Sequence, residues 1–161
     1  MAIHAPRNRG AFALAVLTVV FGLVGLVLDA VVNYDCAATA PAQGFGSVYC
    51  AASGVGIAAG AMGIVFGLLA MMWLMVAEMS ERVAVRALIV IGLLITSGLA
   101  ISAGVLNAYV SSRVADNYIH NMMAAASAMH FVLTITSFVT AILCWTAPLV
   151  LVPAGHTTSV R

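Results

Sequence analysis

The sequence predicts an all-α membrane protein, a four-transmembrane-helix bundle with its N and C termini cytoplasmic. Three observations carry this. Of the 161 residues, 64% are hydrophobic and 7% charged, whereas a soluble domain carries about 25% charged residues. So little charge cannot clothe a water-facing surface, and lipid becomes the solvent for most of the chain. The apolar residues fall into four runs, each with the roughly 20 residues a helix needs to cross hydrocarbon. The arginines are sorted to one side of those runs. Together the runs occupy most of residues 1–161, which therefore form a single membrane domain with no soluble domain beside it.

The first span is expected over residues 11–32, with Arg7 and Arg9 at one end and Asn33, Tyr34 and Asp35 at the other. It is too long for the roughly 7–15-residue core of a signal peptide, so it reads as a retained anchor. An outer loop rich in Ala, Gly, Pro and Gln follows over 34–50. The second span covers 51–77 and ends at a charged turn bearing Glu78, Glu81, Arg82 and Arg86. The third covers 87–110, and a polar turn over 111–121 holds Arg113 and Asp116. The fourth covers 122–147. The tail, 149–161, with Pro153, Gly155 and a Thr-Thr-Ser run, reads as disordered.

Orientation follows from the short loops. With the N-terminus inside, Arg7, Arg9, Arg82, Arg86 and Arg161 are cytoplasmic and only Arg113 is outside, which is the bias expected of cytoplasmic loops. The aromatic residues sort the same way. Tyr34, Tyr49, Tyr109 and Tyr118 fall at the outer interface, and Trp73 and Trp145 near the inner one, the headgroup level that amphipathic rings prefer.

Few residues offer chemistry. Cys36 and Cys50 share the outer loop, and an oxidising exterior would join them as a disulfide closing a loop of about 15 residues, worth about 3 kcal/mol in the chain-entropy model. The functional alternative is a redox pair, but no C-x-x-C is present to pass electrons on. Cys144, near the inner end of the fourth span, reads as a small packing residue. The second span carries a ridge of Gly56, Gly60, Gly63 and Gly67, spaced by four, three and four so that they share one helix face. Gly92 and Gly104 belong to a parallel small-residue series on the third span, and Gly22 and Gly25 lie on the first. Small residues let helices approach closely in lipid, either within this bundle or against another chain.

His130 lies near the midplane of the fourth span, where an ionisable side chain is a functional candidate. The alternative is a neutral imidazole bonded to a hydroxyl such as Ser97 or Ser102. Asp29, the nearest acid in a span, is placed about one turn from the outer boundary and hydrated there, leaving His130 with no buried carboxylate partner. His120, His4 and His156 do not match its depth, so a bis-histidine haem is not expected. No nucleotide loop, metal-ligand spacing or nucleophile–base pair is present. The expectation is therefore no cofactor, no metal and no enzyme activity. A net charge of +1 offers nothing to nucleic acid.

Arg9 leading into the first span, Cys36 and Cys50 in the first loop and the aromatic close of the fourth span at Phe138, Cys144 and Trp145 resemble the tetraspan group that includes the MARVEL-domain and claudin-like proteins. The loop has no tryptophan and lacks the claudin signature, so the likeness is to the MARVEL type. That resemblance implies a non-enzymatic membrane organiser that associates laterally. The expected function is accordingly a structural tetraspan, a membrane organiser or assembly scaffold, whose partners are the lipid bilayer and either further copies of itself or other membrane subunits. An accessory subunit of a respiratory, photosynthetic or channel complex is the alternative. A small transporter or redox carrier using His130 and Asp29 is a third reading.

Overall fold

The computed structural model describes residues 8–43, 46–76 and 82–147, and of residues 35–43, 46, 47 and 49 the backbone alone. Four helices account for nearly all of it: α1 Arg9–Gln43, α2 Gly46–Met75, α3 Val83–Ser111 and α4 Asn117–Thr146. Each contains a stretch long and apolar enough to cross a membrane: Arg9–Tyr34, Cys50–Met75, Val83–Ser111 and Asn117–Thr146. These agree with the four expected spans. The tail over 149–161, the side chain of Cys36, and Arg7, Glu78, Glu81, His4 and His156 lie outside the described residues.

Three boundaries differ from expectation; one is the start of α3, at Val83 and not 87, which takes Arg86 out of the charged turn. The segment read as the outer loop, 34–50, is helical through Gln43 and again from Gly46. Its alanines favour the helix, and Pro41 falls in the last turn of α1. α4 begins at Asn117, not 122, because the Asp116 carboxylate accepts hydrogen bonds from the backbone N–H groups of Tyr118 (2.8 Å) and Ile119 (3.3 Å). That N-cap satisfies donors the first turn would otherwise leave free. Asn8 does the same for α1, its Oδ1 accepting from Ala11 N–H at 3.1 Å.

The helices form a ring in chain order. α1 packs on α2 and α4, and α3 packs on α2 and α4, while the α1/α3 diagonal makes no close backbone approach. One end of the bundle gathers Ala11, Ala15, Trp73, Leu74, Ile89, Ala141 and Cys144. The other gathers Val32, Ala52, Val110 and Met123. The start of α1 and the end of α4 therefore lie at the same end of the bundle. Trp73, expected at headgroup level, is only 1% exposed and belongs to the core of that end, whereas Trp145 is exposed and Arg86 stacks over its ring at 5.3 Å. Outward positions carry Val, Leu, Ile and Phe side chains, the surface a bundle presents to lipid.

The ridge glycines of α2 lie where α2 meets α1. A Cβ on Gly60 would stand 2.6 Å from the Gly22 carbonyl oxygen and 2.7 Å from Leu26 Cβ, and one on Gly67 2.7 Å from a Val19 methyl. Gly63 faces Leu133 of α4 and Gly22. On α3, Gly92 receives the Phe66 ring and Gly104 the Phe131 ring. Backbone approach this close supplies the dispersion contacts that replace a hydrophobic driving force within the bilayer.

Candidate functional site

Asp29 and His130 come together in the bundle interior. Both are fully buried, and His130 Nε2 is hydrogen-bonded to Asp29 Oδ2. From across the diagonal, Asn107 Nδ2 donates to Asp29 Oδ1 at 2.9 Å. Asn107 is also fully buried. One carboxylate thus ties α1, α3 and α4 together. This corrects two expectations: Asp29 is not hydrated, and His130 has a buried carboxylate partner.

The geometry explains the difference. Because α1 continues to Gln43, Asp29 stands about 20 Å from the C-terminal end of its helix, and His130 about 20 Å from the start of α4. The two helices are antiparallel, and a helical side chain leans toward its own N-terminus. Asp29 therefore leans toward one end of the bundle and His130 toward the other, and they meet. The hydroxyls expected beside His130 are engaged elsewhere: Ser97 Oγ donates to the Thr134 carbonyl (3.3 Å) and Ser102 Oγ to the Gly98 carbonyl (2.9 Å).

Two glycines make room for the cluster. A side chain at Gly56 would collide with the Asp29 carboxylate, and a Cβ on Gly25 would stand 3.1 Å from His130 Cε1. Gly56, at the head of the α2 ridge, thus backs the carboxylate instead of a helix backbone. Around the cluster the hydroxyls are self-contained. Thr134, Ser137 and Thr140 bond to carbonyls one turn back, as such residues do within helices. Ser127 Oγ bonds the Gly104 carbonyl at 2.8 Å and Ser53 Oγ bonds Asn33 Oδ1 at 3.0 Å, adding links from α4 to α3 and from α2 to α1.

Two atoms of the cluster make no hydrogen bond: His130 Nδ1 and Asn107 Oδ1, both buried. Chemically, the cluster is a carboxylate–imidazole pair steadied by an amide, able to hold a proton between its partners. Among the described residues no three His, Cys, Asp or Glu side chains converge as a metal site would require. Cys144 is buried at the end of the bundle where α1 begins, and Cys50 is partly buried against the Val32 cluster at the other. His120 is in the first turn of α4, its Nδ1 2.7 Å from the Ser111 carbonyl oxygen.

Sequence reasoning named His130 and Asp29 together as a possible buried polar site but placed Asp29 in a hydrated position, and it missed that Asn107 completes them. The available signal was depth counted from helix ends on antiparallel neighbours, and it depended on knowing that α1 extends past Tyr34. Compared with known proteins, the chain matches no family model, no curated protein and no solved structure.

Proposed function

We propose that this chain is a non-enzymatic structural tetraspan that acts by lateral helix–helix association, as a membrane organiser or assembly scaffold of the kind the MARVEL-type resemblance implies. In this reading both termini are cytoplasmic, Cys36 and Cys50 form an outer disulfide, and the partners are lipid and either further copies or other membrane subunits.

One observation carries it. The glycines facing inward are filled by this bundle's own helices, but Gly98, on the lipid side of α3, has open space where a side chain would stand. Ser102, one turn along, is also exposed, among Leu94, Ile95, Ile101 and Val105. A small pair within a bulky lipid-facing strip is what a second helix needs for close approach. The Asp29–His130–Asn107 cluster serves this role by holding three helices in one register, so that the outward face has a fixed shape.

The test is Gly98→Leu. It should leave the bundle folded and convert the assembled particle in lipid nanodiscs to monomer. Wild-type protein that is already monomeric in lipid, with no partner crosslinked in native membranes, would end this reading. The mass of the native particle separates its two forms: copies of one chain indicate a scaffold, and a fixed ratio to a catalytic partner indicates an accessory subunit.

A further inference from the structure

We propose that the seam between α3 and α4, from Phe131 to Arg86, seats an anionic phospholipid, with its phosphate on the Arg86 guanidinium and an acyl chain along α4. The inference does not rest on lateral association, since a monomeric bundle presents the same seam.

The apolar part of the seam is a single helix face. Phe131, Ile135, Phe138, Ile142 and Trp145 are spaced by four, three, four and three residues, which keeps them in one line. All five are exposed. The line is tied to α3 at both ends. The Phe131 ring packs over Gly104, where a Cβ would stand 3.2 Å from it, and Arg86 stacks over the Trp145 ring. From Phe131 to Trp145 the helix rises about 21 Å, against about 15 Å for the hydrocarbon of one leaflet. Trp145 and Arg86 thus reach headgroup level when Phe131 is near the midplane.

The charged part is a cation without a counter-ion. Among the described residues the one ion pair is that of His130 with Asp29. Arg86 is half-buried, and its Nε is buried without an acceptor. A guanidinium partly withdrawn from water favours an anion beside it. Arg86 also stands near the start of α3, which has no side-chain cap and no acidic residue in its first turn. That is the positive end of the helix dipole, where a cation is disfavoured and an anion favoured.

An anionic phospholipid matches both parts at once. Its phosphate oxygens accept from guanidinium N–H groups, often in pairs. Stacking on Trp145 holds that guanidinium at the end of the apolar line. The acyl chain then covers the aliphatic and aromatic side chains from Ile142 to Phe131. A zwitterionic phospholipid brings the same phosphate together with a cation that opposes Arg86, so the net negative headgroup is preferred. A soluble phosphate would meet the cation but leave the apolar line uncovered.

Tryptophan fluorescence of the full-length chain in phosphatidylcholine vesicles tests this. Lipid brominated near the top of its acyl chains is titrated in, either as phosphatidylglycerol or as phosphatidylcholine. Trp73 is shielded in the core and Trp145 is exposed, so quenching reports on Trp145. Brominated phosphatidylglycerol should quench at a mole fraction about fivefold lower, the preference that one arginine near the surface gives an anionic lipid. Arg86→Gln should bring the two curves together, and Arg82→Gln should leave them apart. Coincident curves for the wild-type chain would overturn the proposal, whether because Glu78 or Glu81 neutralises Arg86 or because another helix covers the seam. Equal loss of the preference in both variants would overturn it as well, showing diffuse attraction to a basic end. So would relief of the quenching by inorganic phosphate, which would make the seat an ion site and not a lipid one.

Discussion

At the residue scale, the pair that matters most joins side chains 101 positions apart. Removing one member strands the other in a lipid-surrounded core, and breaking a buried pair in this way typically costs about 3–5 kcal/mol. Asp29→Leu and His130→Leu should each lower stability by that order. The double replacement should cost clearly less than the sum, because it leaves no stranded group, and apolar replacements of buried pairs are often nearly neutral. Reversible unfolding in mixed micelles, run as a double-mutant cycle, measures the coupling. Additive losses would mean that the two residues do not stabilise one another. Asp29 and His130 were both visible in the sequence as the polar residues to watch. Their partnership was not, since it rests on two side-chain directions and on a helix end that composition placed too early.

At the element scale, each inward glycine has a different neighbour, and the neighbour decides what a substitution does. Gly60→Ala pushes a methyl against the Gly22 carbonyl oxygen, with backbone on the far side that cannot yield. It should separate α1 from α2 and destabilise the bundle by about 1–3 kcal/mol, the range for overpacking. Gly54→Ala, on the same helix, meets nothing within 4 Å and should be neutral or stabilising by up to about 1 kcal/mol, since alanine is the better helix former. Thermal unfolding of the two variants side by side checks the contrast, and equal shifts would count against the assigned helix face. The four spans were legible because lipid imposes a length and a composition on any segment that crosses it. The ridge at Gly56, Gly60, Gly63 and Gly67 was legible from its spacing, but not what it faces. Periodicity defines a face, whereas the occupant depends on which helix lies alongside. The helical course of 34–43 was hidden for a different reason. Ala, Pro and Gln suit a loop or a helix end about equally well, and only the packed bundle distinguishes them.

At the scale of the whole molecule, the ring of four antiparallel neighbours places the start of α1 and the close of α4 at one end, and the Val32 cluster at the other. The fold is symmetric as to which end faces the cytoplasm, so charge has to choose. Arg82 and Arg86 lie at the α2–α3 end and Arg113 at the opposite one, and the proposed orientation follows the positive-inside bias in setting the former in the cytoplasm. Under the proposed orientation Cys36 and Cys50 belong outside, where a disulfide would persist, and Cys144, fully shielded from solvent, belongs at the cytoplasmic end. The three cysteines of the native sequence thus report topology without any substitution. On sealed cells, a membrane-impermeant maleimide should label nothing at first. It should label Cys36 and Cys50 once an impermeant reductant is added, and Cys144 only after denaturation. Labelling of Cys36 or Cys50 that requires permeabilised cells would invert the orientation. Labelling from outside without reductant would keep the orientation and remove the disulfide, so one measurement separates the two halves of the argument.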